Sequence, residues 1–388
     1  MVLTSLGGSG EKGRVGFLLE DGRKRIVLDY GIKRRLCGGW KDIYPLEVKE
    51  KVDLLYLSHA HQDHVGAVPL LSFERIISSE PTLKLMKHYI YTWFKTARRY
   101  ELPIDAERYE DFLQKEDFKI MNTMNFDGLF FKLGKSGHLL GSTWVKIRWD
   151  GVSLLYTGDI TLDSPIYRFD EPEKADVLIM DCAYGLRRLK PREDLLNVLD
   201  SLKGNRIILP LPSVGRSQEI LLTLLNSGIL PVFVDEKIVR FFNFLSEFKE
   251  WLKVEPKIES VNTELPEKLV EGIYLTIDGM ITGGTSLKLY NLLKDDEKTR
   301  FILTGYQERG TTGWKILNEE DRAMQFIWKV HPDFTDILTL IDKIDPYHII
   351  IFHADEKDSS DLVQELGKLG FKSSVLEMGK RLKLGEIT

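Results

Sequence analysis

Three histidines and an aspartate lie within six positions of the chain: His59, His61, Asp63 and His64, in the stretch LSHAHQDHVGAVP of residues 57–69. The residues VDLLYLS that lead into them form a short apolar run rich in β-preferring side chains, which predicts a buried strand. Side chains two apart on an extended segment point the same way, so His59 and His61 can bind one metal ion while Asp63 and His64 turn toward another. This clustering indicates a divalent metal site rather than histidines satisfied within a core.

Most of the histidines share one kind of position. Six of the eight fall at predicted strand ends or glycine turns beside carboxylates: His59, His61, His64, His138, His331 and His353. Only His88 and His348 lie elsewhere, on a predicted helix and inside a predicted strand, while Asp159 and Asp181 add carboxylates at strand ends. Such a set fits hydrolysis by two divalent ions with a bridging carboxylate and a bridging water. Nitrogen and oxygen donors without thiolates suit two zinc ions, with manganese as the alternative.

Repeated hairpins are predicted to position these residues. Two strand–Asp-Gly–strand patterns are present: residues 14–20 with 25–29, and residues 143–149 with 152–157. The first hairpin ends in Asp29 and the second in Asp159, so we expect a duplicated β-sandwich core. Asp29 taken alone is better explained as a turn cap. Residues 176–180 predict a further buried strand that ends at Asp181.

After Asp181 the chain changes to a regular α/β alternation. Strands are predicted at residues 206–209, 231–234, 272–276 and 301–304, with helices at 216–227 and 284–294. This pattern indicates an inserted domain with a parallel sheet. From about residue 320 the chain is expected to rejoin the first domain, with a strand end before His331, a helix after it, and a short buried strand that ends at His353.

Composition limits the class of protein. The chain has 388 residues, of which 43% are hydrophobic and 29% charged, and its formal net charge of −5 provides no global basic field for nucleic acid. There is no signal-peptide pattern and no apolar run of membrane-spanning length, so we expect a cytoplasmic protein without a membrane partner. The two cysteines, Cys37 and Cys182, are too few for a disulfide framework or a thiolate zinc site.

The predicted helix at residues 80–100 interleaves cations such as Lys84 and Arg98 with aromatic residues such as Tyr91. This composition is compatible with a nucleic-acid strand. A solvated face over an apolar core stripe explains it better.

Several motifs together resemble the metallo-β-lactamase superfamily and, within it, the β-CASP nucleases, which include the pre-mRNA 3′-end-processing endonuclease and ribonuclease J. The motifs are HAHQDH, His138 in a glycine turn, YTGD at Asp159, DVLIMDCAYG at Asp181, PLPSVGRSQEILL, DGMITGGTS, LTGYQERGTTG, VHPD at His331 and IIIFHAD at His353. The resemblance implies a metallo-β-lactamase αββα sandwich with an inserted parallel-sheet β-CASP domain. The lactamase domain would comprise residues 1–185 and 316–388, and the insertion residues 186–315.

The resemblance also implies roles for individual residues. The first metal ion would be held by His59, His61 and His138 and the second by Asp63, His64 and His353, with Asp159 bridging the two. Asp63 would also take part in catalysis, and Asp29 would hold a ligand in orientation. Asp181 and His331 would form a catalytic pair at the scissile phosphate, with His331 protonating the departing 3′-oxygen.

By this resemblance the expected function is a metal-dependent ribonuclease that leaves 5′-phosphate and 3′-hydroxyl ends. Single-stranded RNA is the expected substrate because a histidine at the position of His353 is typical of the RNA-processing members. Ser213, Arg216 and Arg309, beside glycine turns, are the candidate RNA contacts. Endonuclease and exonuclease action both remain open, as do a homodimer and a larger RNA-processing complex.

Some positions depart from the family pattern, and other functions stay open. The motif at Asp181 has aspartate where relatives more often have glutamate, and Trp314 stands where relatives often have arginine. One alternative is a catalytically inactive RNA-binding scaffold subunit, although such relatives usually lose metal ligands. The other is a hydrolase of DNA or of a small ester on the same site.

Overall fold

The computed structural model describes residues 1–33, 43–115, 118–121, 125–256, 258 and 261–387. Cys37 lies outside these residues, and Cys182 is buried with a free thiol. Among the described residues, no helix is both long and apolar enough to cross a membrane.

The strands, in chain order, are β1 (Val2–Gly7), β2 (Gly16–Glu20), β3 (Arg25–Tyr30), β4 (Val52–Tyr56), β5 (Phe73–Ile77), β6 (Asn125–Phe126), β7 (Leu129–Lys135), β8 (Thr143–Trp149), β9 (Val152–Tyr156), β10 (Val177–Asp181), β11 (Arg206–Leu211), β12 (Phe233–Val234), β13 (Gly272–Ile277), β14 (Thr299–Leu303), β15 (Ala323–Gln325), β16 (His348–Phe352), β17 (Ser373–Val375) and β18 (Arg381–Lys383).

The α-helices are α1 (Gln62–Val65), α2 (Glu80–Arg99), α3 (Ala106–Gln114), α4 (Asp194–Ser201), α5 (Arg216–Asn226), α6 (Glu236–Ser246), α7 (Gly284–Leu293), α8 (Thr312–Glu319), α9 (Phe334–Ile344) and α10 (Glu356–Lys368). Short 3₁₀ turns occur at Val68–Leu70, Lys249–Trp251 and Leu384–Glu386.

The strands form three sheets in the described part of the chain. The first has the order β18-β1-β2-β3-β4-β5 and the second β17-β16-β10-β9-β8-β7-β6. In each, an antiparallel hairpin leads into parallel strands: β2–β3 is followed by parallel β4, and β8–β9 by parallel β10. This repeat matches the duplicated core predicted from the sequence. The third sheet, β12-β13-β11-β14-β15, is parallel throughout.

The first two sheets pack face to face over a common apolar core. Phe17 and Leu28 of the first sheet share one buried cluster with Ile147, Tyr156 and Phe352 of the second. Alternating side chains of a strand point to opposite faces, so each sheet also has an outer apolar face to cover. Helices α2 and α3 cover the first sheet, and helices α9 and α10 cover the second. The arrangement is the expected αββα sandwich.

The third sheet carries helices on both faces, as the α/β alternation predicts. Helices α4, α5 and α6 pack on one face, and helices α7 and α8 lie on the other. The sheet continues into β15 (Ala323–Gln325), past the predicted domain limit at residue 315. The limits of the inserted domain, at residues 186 and 315, stay predictions.

Two local predictions need correction. The residues Val65 to Val68 after the histidine cluster predict a helix that opens at Val65. Helix α1 begins earlier, at Gln62, because the amides of His64 and Val65 both donate to the His61 carbonyl. The strand end expected before His331 is not a strand in the described residues. A backbone hydrogen bond from the Trp328 amide to the Thr304 carbonyl joins that segment to the end of β14, and side chains supply most of its other hydrogen bonds.

Candidate metal centre and active site

The predicted site residues meet where parallel strands of both sandwich sheets end. His59, His61, Asp63 and His64 follow β4, Asp159 follows β9, Asp181 ends β10 and His353 follows β16. Only glycine fits at position 31 beside this loop, since a Cβ there would lie 1.7 Å from the Asp63 carbonyl oxygen. His138 joins from the connection between β7 and β8, where its amide donates to the Ser142 hydroxyl at 3.1 Å.

Four of these side chains present atoms to one common point. His59 Nε2 lies 3.1 Å from His61 Nδ1 and 3.5 Å from Asp159 Oδ2. His138 Nε2 lies 3.2 Å from His61 Nδ1 and 3.4 Å from Asp159 Oδ2. A tetrahedral zinc ion with bonds of about 2.0–2.1 Å holds its ligands roughly 3.3 Å apart. The donor set and its spacing therefore fit one zinc ion.

A second donor group adjoins the first and consists of Asp63, His64 and His353. His353 Nε2 lies 3.1 Å from Asp63 Oδ2, and His64 Nε2 lies 3.1 Å from Asp159 Oδ1. Asp159 thus directs Oδ2 toward the first group and Oδ1 toward the second. Asp159 Oδ1 and His64 Nε2 are buried without a hydrogen-bond partner despite their proximity. Such unpaired buried atoms are explained if a cation binds between them.

Asp29 fixes the orientation of His64. Its Oδ2 accepts hydrogen bonds from His64 Nδ1 at 2.7 Å, from the Ser58 hydroxyl at 2.6 Å and from the Tyr156 hydroxyl at 2.6 Å. Its Oδ1 accepts the Ser58 amide at 2.7 Å. With Nδ1 donating to Asp29, His64 presents Nε2 as its lone-pair donor toward Asp159.

A backbone carbonyl orients His138 in the same way. His138 Nδ1 donates to the Val330 carbonyl at 2.7 Å, which leaves Nε2 for the first donor group. The Thr161 hydroxyl donates to the same oxygen. Val330 is 192 positions along the chain from His138, and a carbonyl contributes no residue-type signal. The sequence could not have revealed this contact.

Burial keeps the first group's imidazoles neutral, the form that binds metal. Burial, reinforced by the neighbouring His64, holds the pKa of His59 well below its usual value. Burial likewise lowers the pKa of His61 to about 4 and that of His138 well below its normal range. All three offer lone pairs at neutral pH.

In the second donor group the pKa values of the histidines are raised rather than lowered. Burial would lower the pKa of His64, but the carboxylates of Asp159 and Asp29 outweigh it and hold that pKa well above the usual value. Burial of His353 is similarly outweighed by Asp159 and Asp63, and its pKa rises to about 9. A bound cation would have to displace these protons, so metal binding here is linked to pH.

Asp181 and His331 form a hydrogen-bonded pair at the edge of the metal centre. Asp181 is fully buried, and its Oδ2 accepts from His331 Nδ1 at 2.8 Å. Asp181 Oδ1 also accepts the Ala183 amide at 3.0 Å, which fixes the carboxylate. The His331 ring lies 4.9 Å from that of His138 and 5.1 Å from that of His353, between centroids. Aspartate at position 181 is shorter than the glutamate more common in relatives, but it reaches His331 directly.

These groups open into a cavity of about 550 Å³ between the sandwich and the third sheet. His331 and Asp63 line one side, and Arg216, Tyr306 and Trp314 line the other. The Lys12 ammonium lies 5.3 Å from the centre of the Tyr306 ring, and Tyr306 is 56% exposed. Residues of both the sandwich and the third-sheet region line the cavity, and its walls carry cations beside aromatic rings.

The candidate RNA contacts lie in different surroundings. Arg216 lines the cavity, with Nη1 donating to the Thr304 carbonyl at 3.0 Å. Ser213 lies in the turn before α5, and the exposed Arg309 guanidinium lies 5.9 Å from the Trp314 ring centre. The glycines of LTGYQERGTTG, among them Gly305, predict a close approach of RNA to the backbone. The small size of Gly305 is already needed inside the protein, since a Cβ would lie 2.0 Å from Arg216 Nη1.

Several contributors were missed from the sequence. Tyr156 and Ser58 complete the hydrogen bonds of Asp29, and Tyr306 and Lys12 line the cavity. The position of Tyr156, at the end of the strand before Asp159, was the one signal that could have identified it. Ser58 lies in LSHAHQDHVGAVP and Tyr306 in LTGYQERGTTG, but neither motif indicates these contacts, and Lys12 lies in a stretch without a distinctive pattern.

Comparisons with known proteins agree with this geometry. Residues 16–202 match the family model of the metallo-beta-lactamase superfamily, and residues 217–316 match the Beta-Casp domain. An RNase J-like protein of Methanocaldococcus jannaschii is 29% identical over 90% of this chain and 91% of its own length. The endoribonuclease YSH1 of Kluyveromyces lactis is 24% identical over 93% of this chain, which spans only 56% of that relative. A crystal structure of a protein of unknown function from Enterococcus faecalis shares the fold, with a TM-score of 0.64, 15% identity, and coverage of 98% of this chain and 99% of that one.

Proposed function

The chain belongs to the metallo-β-lactamase superfamily and carries the β-CASP domain, and from this premise we propose that it is a metal-dependent ribonuclease. It would hydrolyse phosphodiester bonds of single-stranded RNA to leave 5′-phosphate and 3′-hydroxyl ends. The observation that carries the proposal is the pairing of His331 with Asp181 beside two adjoining donor groups, inside a cleft walled by the third sheet. The donor groups alone would fit many hydrolases.

Two divalent ions suit the donor atoms of the site. The first would be held by His59, His61 and His138 with Asp159, and the second by Asp63, His64 and His353. When bound, such ions neutralise charge on a phosphate and lower the pKa of a water to near neutrality. Zinc is the first choice for this nitrogen-rich set, and manganese is the alternative.

The protein's own side chains would complete the reaction. Asp181 accepts from His331 Nδ1, so His331 can carry a proton on Nε2 and donate it to the departing 3′-oxygen. Asp63, on the opposite side of the cavity from the third sheet, would accept a hydrogen bond from the attacking water and orient it.

The cleft supports a flexible, single-stranded polyanion as substrate. Lys12, Arg187 and Arg216 line it, as do the rings of Tyr306 and Trp314. Cations that follow the backbone and aromatic faces that stack on bases are the features of single-strand sites. Ser213 and Arg309, near this wall, would make contacts further from the cleaved bond.

The choice of RNA rests also on relatives that are named as ribonucleases, in an archaeon and in a yeast. An inactive RNA-binding scaffold is disfavoured because all seven donor residues are present and converge on two points. A homodimer or a larger RNA-processing complex is compatible with this proposal, as is a cytoplasmic location.

Cleavage by the purified protein tests the proposal. Zinc- or manganese-loaded protein should cleave single-stranded RNA and leave DNA of the same sequence largely intact. His331→Ala should lose roughly 10²–10⁴-fold in rate, the contribution of a general acid, while its metal content stays unchanged. His88→Ala is the matched control, because His88 is exposed on α2 away from the site.

Three results would contradict the proposal in different ways. Metal-loaded protein that leaves varied RNAs intact but still binds them would favour a scaffold. Equal or faster cleavage of DNA or of a small ester would identify another hydrolase. A His331→Ala variant with wild-type rate would remove the assigned proton donor.

A further inference from the structure

The short segment Trp328–His331 contributes to both halves of the candidate site. The Val330 carbonyl accepts His138 Nδ1 at 2.7 Å, and His331 Nδ1 lies 2.8 Å from Asp181 Oδ2. A shift of this segment would therefore disturb a metal ligand and the proton donor together. Positions of this kind need about 0.5 Å precision for efficient catalysis.

Side chains supply most of the segment's hydrogen bonds, and the Trp328 amide also donates to the Thr304 carbonyl at 3.0 Å, just past the end of β14. The Tyr184 hydroxyl accepts the Val330 amide at 3.2 Å and lies 3.3 Å from the Trp328 carbonyl. Arg192 donates from both Nε and Nη2 to the Lys329 carbonyl. The fully buried indole of Trp328 anchors the segment's first residue.

The indole N–H of Trp328 donates a hydrogen bond to a buried carboxylate. Trp328 Nε1 donates to Glu219 Oε2 at 2.6 Å, and the Ser164 hydroxyl donates to Glu219 Oε1. Ser164 Oγ in turn accepts the amides of Ile166 and Tyr167 at 3.2 and 3.0 Å. Glu219 lies on α5, so one carboxylate from the helix joins the Trp328 segment to the loop that follows Asp159.

A carboxylate in this place needs a reason. Glu219 is 1% exposed, and its chain neighbours Ile220 and Leu221 belong with Trp328 to one buried apolar cluster. Burial raises the pKa of Glu219, while the nearby Arg192 opposes that shift. Because burying a carboxylate is unfavourable and an apolar replacement is often neutral or stabilising, overall stability alone does not explain it. The burial of this carboxylate is explained by its two hydrogen bonds, which join the Trp328 segment to the loop that follows Asp159.

We propose that Glu219 is a positioning residue of the active site, which acts through Trp328 and Ser164 to fix His138 and His331. The proposal rests on the proposed ribonuclease function only for the role of His331. The orientation of His138 toward a metal ion is independent of the substrate. Glu219 would thus join the β-CASP helix α5 to the metal centre.

Three variants and one control separate positioning from stability. Glu219→Leu removes both acceptors, and Trp328→Phe removes the indole N–H while it keeps an aromatic ring in the core. Glu219→Gln keeps a carbonyl oxygen for Trp328 Nε1 but turns its NH₂ toward Ser164 Oγ, which already accepts the Ile166 and Tyr167 amides. It retains one of the two hydrogen bonds and should lose less function than Glu219→Leu. Leu245→Ala is the control, since Leu245 is fully buried in the same apolar cluster but makes no hydrogen bond to the segment.

Two readouts are needed, one of them independent of RNA. Co²⁺ added to metal-free protein reports ligand geometry and affinity through its visible absorption. Loss of a group that orients a ligand typically costs about 10–100-fold in metal affinity or activity. We expect Glu219→Leu and Trp328→Phe to weaken Co²⁺ binding and to lower kcat by about 10-fold at unchanged KM, measured well below their unfolding temperatures. Glu219→Gln, which keeps the acceptor for Trp328 alone, should lie between wild type and Glu219→Leu in both readouts.

The outcomes are distinguishable. Glu219→Leu with wild-type Co²⁺ affinity, spectrum and kcat would overturn the positioning role, and so would equal losses in Leu245→Ala. If wild-type protein binds Co²⁺ but cleaves no RNA, the proposed function fails while the Co²⁺ comparison still decides the role of Glu219. A wild-type protein that binds no Co²⁺ would overturn both.

Discussion

Replacing Asp29 by asparagine should weaken one of the two metal sites by reversing a histidine tautomer. Asp29 Oδ2 accepts three hydrogen bonds, from His64 Nδ1 and from the hydroxyls of Ser58 and Tyr156. In Asp29→Asn an NH₂ group can occupy this place, with Oδ1 still accepting the Ser58 amide. Both hydroxyls can rotate to accept from the new amide. His64 can accept only by moving its proton to Nε2, the atom that faces Asp159 Oδ1 at 3.1 Å.

The expected loss of metal affinity follows from the position of the proton on His64. An imidazole protonated on Nε2 cannot donate a lone pair there, so the second donor group keeps only Asp63, His353 and the shared Asp159. Changes to groups that orient metal ligands cost about 10–100-fold in affinity, which corresponds to about 1.4–2.7 kcal/mol. The first donor group does not contain His64 and should keep its affinity.

Calorimetric zinc titration of metal-depleted protein measures this directly. Wild type should bind two equivalents, and Asp29→Asn should bind one tightly and one at least 10-fold more weakly. Tyr156→Phe is the control, because it removes one donor to Asp29 but leaves the carboxylate and the His64 tautomer intact. Two equivalents bound by Asp29→Asn with wild-type affinities would refute the reasoning, as would an NMR spectrum showing Nδ1-protonated His64.

Three further predictions concern pH, substrate and packing. Because the pKa of His353 is about 9 in the metal-free fold and ~6.5 in unfolded chains, its stabilising contribution is complete below pH ~6.5 and lost as pH rises through about 9. Calorimetry of chelator-treated protein should show stability falling between pH ~6.5 and about 9, and His353→Phe should remove this fall. A His353→Phe variant with the same pH dependence of stability as wild type would contradict the prediction. Trp314→Ala should raise KM for single-stranded RNA by about 10-fold through lost base stacking, with kcat and the hydrolysis of bis(p-nitrophenyl) phosphate unchanged; an unchanged KM for RNA would exclude stacking. Gly305→Ala should destabilise the fold by roughly 1–3 kcal/mol in urea unfolding, because its Cβ would meet Arg216. Gly367→Ala, in open space on α10, should be neutral or stabilising, and equal losses in both variants would count against the packing argument.

Local patterns in the sequence predicted the parts of the fold that depend on neighbouring residues. The hairpin 143–149 with 152–157 was confirmed to within a residue, as was the helix at 80–100, whose Trp93 and Phe94 are buried while most of its cations face solvent. The strand predicted at 231–234 shortens to Phe233–Val234, since Pro231 lacks the N–H that a ladder requires. Strand β15 was missed because AMQ carries no β pattern.

The candidate site was predictable only as far as residue type marks it. Histidines and aspartates at strand ends identified the donor set, because few structural roles explain so many there. Which atoms meet was not predictable, since Asp63 and His353 are separated by 290 positions. Glu219 gave no signal either: a glutamate on a helix ordinarily faces solvent, and its partners Ser164 and Trp328 lie 55 and 109 positions away. The roles assigned to the site residues and the domain limits stay predictions.

Cleavage of single-stranded RNA in ¹⁸O-labelled water, followed by mass spectrometry of the products, tests the central claim most directly. The proposed reaction adds water to phosphorus and expels the 3′-oxygen. It therefore predicts one ¹⁸O atom in the 5′-phosphate of the downstream fragment and an unlabelled 3′-hydroxyl on the upstream fragment. Products that end in an unlabelled 2′,3′-cyclic phosphate, or label found at the 3′ end, would contradict it.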